Sequence, residues 1–240
     1  MIEGIGVGAL LGGLGLFLLG MLLMTDGLKQ AAGPALGRLL TSSTQTRLRG
    51  LLSGITVTAV VQSSSAVTVA AIGFVNAGLL TFSQSLWVLF GANVGTTMTG
   101  WLVALVGFKI NVDAAALPLV GLGMALRLTG ADTRRAAIGT ALTGFGVLFL
   151  GIGFLQEAFA IDGTSLRLPA LAGGWLEVPA YVLAGALLTI LMQSSSASLA
   201  VTLTLAHTGS VSFTDAAAMV IGANVGTSVT AVLAAIGATP

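Results

Sequence analysis

Cysteine is absent from the 240 residues, which excludes disulfides, thiolate metal sites and a cysteine nucleophile. Charge is nearly as scarce: Asp, Glu, Lys and Arg make up 7% of the chain, against about 25% in a soluble globular domain. A net charge of +1 without a long basic run offers no electrostatic footprint for nucleic acid. His207 is the one histidine, and no cluster of metal ligands accompanies it. A serine hydrolase is poorly served too, since no Gly-x-Ser-x-Gly occurs and His207 lies eleven residues beyond Ser196. These absences argue against an enzyme. The N-terminus lacks the basic region of a signal peptide, with Glu3 in its place, so this segment reads as a retained span.

What is present is apolar. Hydrophobic residues make up 55% of the chain, and Gly50 to Phe108 runs without one Asp, Glu, Lys or Arg, where a single spanning helix takes about 20 residues. At least two membrane segments lie there. The 34 glycines fall inside apolar stretches and suit close helix packing better than flexible linkers. The chain reads as an all-α polytopic membrane protein.

It is also a duplication. Gln62-Ser63-Ser64-Ser65 returns as Gln193-Ser194-Ser195-Ser196, and Gly91-Ala92-Asn93-Val94-Gly95-Thr96-Thr97 returns as Gly222-Ala223-Asn224-Val225-Gly226-Thr227-Ser228, both at an offset of 131 residues. The same offset aligns Gly15 with Gly146, Gly20 with Gly151, Asp26 with Glu157 and Gly78 with Gly209. Residues 1–109 form the first repeat and 141–240 the second, joined by a short span and loop over 110–140.

Uncharged spans over 4–24 and 136–156 are expected to end at Thr25-Asp26-Gly27 and Gln156-Glu157. The connections 26–49 and 157–179 are polar, and Pro34 favours a short surface helix over Pro34–Leu40. In 50–78 and 181–209 each Gln-Ser-Ser-Ser has about 12 or 13 apolar residues on either side, roughly 18–20 Å of helix and a little over half of the hydrocarbon core. That suits a re-entrant hairpin; one long tilted span is the competing reading. Residues 82–107 and 213–238 read as spans interrupted at Gly-Ala-Asn-Val-Gly-Thr, where two glycines and an Asn favour unwinding. Residues 114–126 make a short additional span.

Positive charge favours the hairpins. If they turn back, Lys29, Arg38, Arg47, Arg49, Arg127, Arg134 and Arg135 share one side and Lys109 and Arg167 the other, seven against two; crossing reduces this to six against three. Three crossings per repeat unit then force the second copy to run upside down, giving two inverted-topology repeats, each with a re-entrant hairpin and a discontinuous transmembrane helix.

Ser and Thr in membrane helices commonly bond the preceding turn's carbonyl, and that is the default for any one of these residues alone. Two copies of two polar motifs go beyond it, because packing by itself preserves apolar groups. A helix starting at mid-membrane presents free N–H groups and hydroxyls to an anion, and the end of the preceding arm presents carbonyls to a cation. Neutral oxygens and amides of this kind suit an anion arriving together with small hard cations, each neutralising the other.

At these residues the chain resembles the type II sodium/phosphate cotransporter family, over about residues 10–108 and 141–240. The resemblance implies inverted repeats, two re-entrant hairpins and a symporter that couples inward movement of inorganic phosphate to sodium in a bacterial inner membrane, by alternating access around a midplane site formed by the two hairpin tips and the two unwound Gly-Ala-Asn-Val-Gly-Thr stretches, with sodium and phosphate as the transported ions. It implies that Gln62, Ser63, Ser64, Ser65, Gln193, Ser194, Ser195 and Ser196 bind phosphate. Sodium would be held by Gln62, Ser65, Asn93, Thr96, Thr97, Gln193, Ser196, Asn224, Thr227 and Ser228, with no other metal. A passive anion channel or an ion-binding scaffold for a regulatory partner is the alternative. Bacterial members often continue into further helices and a cytoplasmic domain resembling a phosphate-uptake regulator; nothing here matches these, so the chain reads as a minimal or shortened member. Glycine-rich outer faces fit a homodimer. His207 reads as an interfacial polar residue, Asp26 and Glu157 as interfacial or capping residues, Asp215 as part of a helix N-cap, and Arg134 and Arg135 as cytoplasmic anchors.

Overall fold

The computed structural model describes residues 3–42, 44–107, 112–130, 133–160 and 174–236. Lys109, Asp162 and Arg167 lie outside the described residues. The described residues hold ten α-helices and no strand: α1 (Glu3–Ala32), α2 (Ala35–Ser42), α3 (Arg47–Val61), α4 (Ser64–Asn76), α5 (Phe82–Leu102), α6 (Val112–Leu128), α7 (Arg134–Ala160), α8 (Glu177–Met192), α9 (Ser195–His207) and α10 (Phe213–Ala235). Four helical stretches are long and apolar enough to cross a membrane, Gly8–Ala32, Phe82–Leu105, Arg134–Ala158 and Gly174–Met192. This is an integral membrane protein.

The spans over 4–24 and 136–156 are longer than expected, because neither Asp26-Gly27 nor Gln156-Glu157 stops its helix. Gly27 is needed for packing, not termination: a Cβ there would fall on the backbone of Ala141. Asp26 and Glu157 lie exposed inside helices, so neither caps one. α1 and α7 pack through glycines along their length. Gly13 meets Gly151 and Leu155, Gly20 meets Gly144 and Leu148, and Gly27 meets Ala137 and Ala141. Numbers rise on one helix as they fall on the other, so the pair is antiparallel. The pairing is also self-complementary, since Gly20 against Leu148 is mirrored, at the repeat offset, by Gly151 against Phe17. The main apolar core, with Phe17, Met21, Phe149 and Ile152 buried, grows around this seam and reaches Ala197 and Ala200 of α9.

Each hairpin is built the same way. Gly54 closes on Val88 and Ala92, Gly91 on Leu51 and Ile55, and Gly95 on Ile55 and Thr58, so α3 and α5 run parallel. Gly185, Gly222 and Gly226 repeat this between α8 and α10. A helix lying between two parallel neighbours and joined to both by short links must run the opposite way, and α4 and α9 do. Tyr181 at the start of α8 and Leu205 near the end of α9 accordingly share one buried cluster. The first arms have 15 and 16 residues, about 22–24 Å at 1.5 Å per residue, longer than expected.

Gly-Ala-Asn-Val-Gly-Thr is not an interruption. α5 and α10 run as α-helix through both copies, and the departure from α geometry, a π-helical turn at Val103–Gly107, comes after the motif. The expected discontinuous helix is corrected here: the glycines face the backbone of α3 or α8, where they permit contact at a distance no Cβ allows. Their helix-weakening tendency is overridden by the packing they make possible.

α6 packs antiparallel on α7, with Gly139 and Thr143 against Gly123 and Gly146 against Ala116 and Val120. The α1 residues equivalent to Gly139, Thr143 and Gly146 are Gly8, Gly12 and Gly15, and a Cβ at any of them would meet nothing within 4 Å among the described residues. α5 begins with a capping box in which Thr81 Oγ1 accepts from Gln84 N–H (3.3 Å) and Gln84 Oε1 accepts from Thr81 N–H (2.8 Å). At α10 Ser212 Oγ likewise accepts from Asp215 N–H (3.2 Å) and itself donates to Asp215 Oδ2 (2.6 Å), which accounts for Asp215.

Candidate functional site

The chain reverses at Gln62 and Gln193, the two non-glycine residues with left-handed backbone among those described, at φ 55° and 51°. Such a conformation costs a non-glycine residue roughly 1–2 kcal/mol, and the same residue type bears it in both repeats. Each glutamine turns its amide nitrogen back onto the arm it ends: Gln62 Nε2 donates to Ala59 O (2.5 Å) and Gln193 Nε2 to Ile190 O (2.7 Å). Its Oε1 remains available as an acceptor. The next residue is extended and caps the returning helix, with Ser63 Oγ accepting from Ala66 N–H and Ser194 Oγ from Ala197 N–H, both at 3.2 Å. Ser194 Oγ also lies 3.4 Å from Met21 Sδ, which ties the second tip to α1.

Capping leaves the first N–H groups of α4 and α9 unpaired within the helix, at Ser64, Ser65, Ser195 and Ser196. Ser64, Ser195 and Ser196 are buried and Ser65 is half-buried. The two tips are not equally enclosed, for Gln62 is buried while Gln193 is exposed.

The repeats are joined by a residue that the motif reading missed. Thr99 Oγ1, on α5, donates to Gln62 Oε1 (2.8 Å) and lies within hydrogen-bond distance, 3.2 Å, of Ser196 Oγ. All three residues are buried, so a polar chain crosses the interior from the first hairpin through α5 to the second. A sequence signal existed: Thr99 repeats as Thr230 at the 131-residue offset, one helical turn beyond Gly95 and Gly226. The Thr230 side chain lies outside the described residues.

Thr96 donates to Ala92 O (3.0 Å), Thr97 to Val94 O (2.7 Å) and Thr227 to Ala223 O (3.0 Å). A hydroxyl whose proton is committed to the backbone presents only lone pairs, which suits a cation ligand and not an anion donor. Asn93, Thr96 and Thr97 share a cavity of about 530 Å³ with Ser195 and Asn224, walled by apolar groups including Leu199 and Trp101. Both repeats thus contribute to one cavity. Among the described residues, Ser195 is the one member of the Gln-Ser-Ser-Ser copies in its lining; Ser63 to Ser65, Thr227 and Ser228 stand outside it.

The Na+/Pi-cotransporter family matches residues 16–157 and 177–239, which contain every one of these groups. The chain belongs to the Na+/Pi-cotransporter family. The first matched segment runs from α1 into α7 and the second covers α8 to α10, and the unmatched stretch between them is the connection preceding α8. Among relatives, "Uncharacterized protein YqeW" of Bacillus subtilis is 32% identical over 225 residues, covering 92% of this chain and 70% of that protein. "Putative inorganic phosphate export protein YjbB" of Escherichia coli is 29% identical over 230 residues, 93% of this chain and 40% of its own length. Human "Sodium-dependent phosphate transport protein 2B" is 34% identical over 98 residues, 40% of this chain and 14% of that protein. The chain thus spans less than half of the YjbB proteins it matches. No solved structure is a significant match.

Proposed function

We propose that this chain is a sodium-coupled transporter of inorganic phosphate in a bacterial cell membrane, working by alternating access around an internal site between its two repeats. The observation that carries the reading is the convergence of both signatures: the buried chain from Gln62 through Thr99 to Ser196 beside a cavity lined by Asn93, Ser195 and Asn224. Antiparallel α1 and α7, related by a self-complementary contact, support two repeats of opposite orientation in the membrane. Hairpins entering from opposite faces would then bring the starts of α4 and α9 toward phosphate. The arm ends, with the back-bonded threonines of α5 and α10, would hold sodium. Charge sorting of this kind places anion and cation close together without a fixed charge on the protein.

Uptake of radiolabelled phosphate into proteoliposomes tests the proposal. An inward sodium gradient is expected to drive accumulation above equilibrium, and an equal potassium gradient is not. Equilibration that ignores sodium would make the protein a passive channel and overturn the coupling. The YjbB relatives are described as exporters, so flux should be followed in both directions, with the sodium gradient setting its sign.

Two sets of variants bear on the site. Ser64→Ala and Ser195→Ala are each expected to cut uptake severalfold while membrane insertion stays normal, and unchanged uptake in both would remove the hairpin serines from the site. Gln193→Gly places at φ 51° the residue that tolerates it best, at an exposed position. Thermal stability should hold or rise by up to about 1 kcal/mol. Uptake should nevertheless fall, because the amide oxygen is gone; full retention of uptake would mean that Gln193 serves only the turn.

A further inference from the structure

Five helix threonines share one hydrogen bond, and a repeat-related pair of buried threonines makes none among the described residues. Thr96, Thr140, Thr143, Thr204 and Thr227 each donate to the carbonyl four residues back, at 2.9–3.0 Å. Thr58 and Thr189 do not: each hydroxyl is buried, 0% and 3% of the residue being exposed, and has no hydrogen-bond partner among the described residues. Leaving a buried hydroxyl unpaired costs on the order of 1–3 kcal/mol. Thr189 is the repeat mate of Thr58 at the 131-residue offset, so the same cost recurs at the same place. Thr202 is also buried and unpaired, but its mate is Ala71 and nothing about it is repeated.

Position says which ligand such an oxygen would meet. Thr58 and Thr189 lie in the last turns of α3 and α8, four residues before Gln62 and Gln193 and on the same helix face. Their Cβ atoms pack over Gly95 and Gly226, one turn before Thr99 and Thr230. In the first repeat this sets the Thr58–Gly95 contact one turn along the α3–α5 seam from the hydrogen bond between Thr99 and Gln62 Oε1. The C-terminal end of a helix carries partial negative charge and free carbonyls, which attract a cation and repel an anion. The glutamine donor is already spent on Ala59 O or Ile190 O, so the amide also offers oxygen. Hydroxyl, amide oxygen and helix-end carbonyls are hard, neutral oxygens of the kind an alkali cation takes.

We propose that Thr58 and Thr189 are sodium ligands, one at the end of the first arm of each hairpin, acting with the side-chain oxygens of Gln62 and Gln193. The inference rests on the sodium-coupled reading above and adds a ligand that neither repeated motif contains. On this view the unpaired hydroxyls are the cost of a preorganised cation site.

The test is sodium-dependent thermal stabilisation of the purified 240-residue chain, titrated with sodium chloride against choline chloride at constant ionic strength. A ligand that binds only the folded protein raises the melting temperature with concentration, and the half-maximal concentration reports affinity. Thr58→Val and Thr189→Val keep the side chain's shape and remove only the hydroxyl. Each is expected to hold or raise stability in choline while raising the half-maximal sodium concentration at least tenfold; the double variant should lose the sodium response. Thr58→Ser and Thr189→Ser, which keep the oxygen, should stay within about twofold of the parent and serve should a valine variant not fold. If the parent responds to sodium and the valine variants respond with the same half-maximal concentration, the two threonines are not ligands and only this inference falls. If the parent shows no sodium response, the sodium-coupled reading itself is overturned. A serine variant that loses the response while folding normally would also overturn the assignment, since its oxygen is in place.

Discussion

Gly91→Ala and Gly222→Ala are each expected to prevent recovery of a stable, monodisperse protein. A Cβ at Gly91 would fall on Leu51 O and crowd Ile55 N, and at Gly222 it would fall on Val182 O and crowd Ala186 N. These are backbone atoms of a packed helix and cannot swing aside as a flexible side chain would. α3 must move from α5, or α8 from α10, and the seam that holds each hairpin against its span opens. Overpacking of a tight core costs typically about 1–3 kcal/mol, and backbone against backbone belongs at the upper end. The measurement is the melting temperature and size-exclusion profile of detergent-purified protein. Gly8→Ala and Gly12→Ala are the controls: with nothing within 4 Å, they should be neutral or slightly stabilising, because alanine is the better helix former by about 1 kcal/mol. Equal behaviour of Gly91→Ala and Gly12→Ala would refute the packing account.

Thr99→Val is expected to reduce sodium-driven phosphate uptake by at least tenfold and to destabilise the fold. The substitution keeps the shape but deprives Gln62 Oε1 of its donor and Ser196 Oγ of its neighbour, in a place where all three are buried. An unsatisfied buried acceptor costs roughly 1–3 kcal/mol. Thr99→Ser, which retains the hydroxyl, should restore most of both properties. The bond between repeats can be isolated by combining Thr99→Val with Ser196→Ala: residues in one network couple by about 0.5–3 kcal/mol, so the double variant should lose less than the two single losses combined. Additive losses would mean that Thr99 acts within its own repeat alone, through Gln62, and that no link joins the hairpins.

Much of the fold could be read from the chain because duplication and hydropathy act over many residues at once. The reversals at Gln62 and Gln193 fall where the repeated motif placed them, and α6 lies over the short apolar stretch between the repeats. A charged residue looks like the end of a span, yet α1 and α7 continue past Asp26 and Glu157, because a helix long enough to protrude carries them exposed on its surface. Gly-Ala-Asn-Val-Gly-Thr is likewise helical where its composition favours a break. Glycine weakens a helix locally and also lets two helices touch, and sequence does not say which role prevails until the partner is known.

The sequence alone determined a cysteine-free, nearly uncharged helical membrane chain and the short polar stretches that recur in it at one offset. Those properties depend on composition and on spacing along the chain, which no packing arrangement alters. The tertiary structure decided what each polar group does. It made Ser63 and Ser194 caps, turned the hydroxyls of Thr96 and Thr227 onto their own helices, left those of Thr58 and Thr189 without partners, and set Thr99 between Gln62 and Ser196. A hydroxyl can donate, accept or coordinate with nearly equal ease, and its choice depends on neighbours brought from distant parts of the chain.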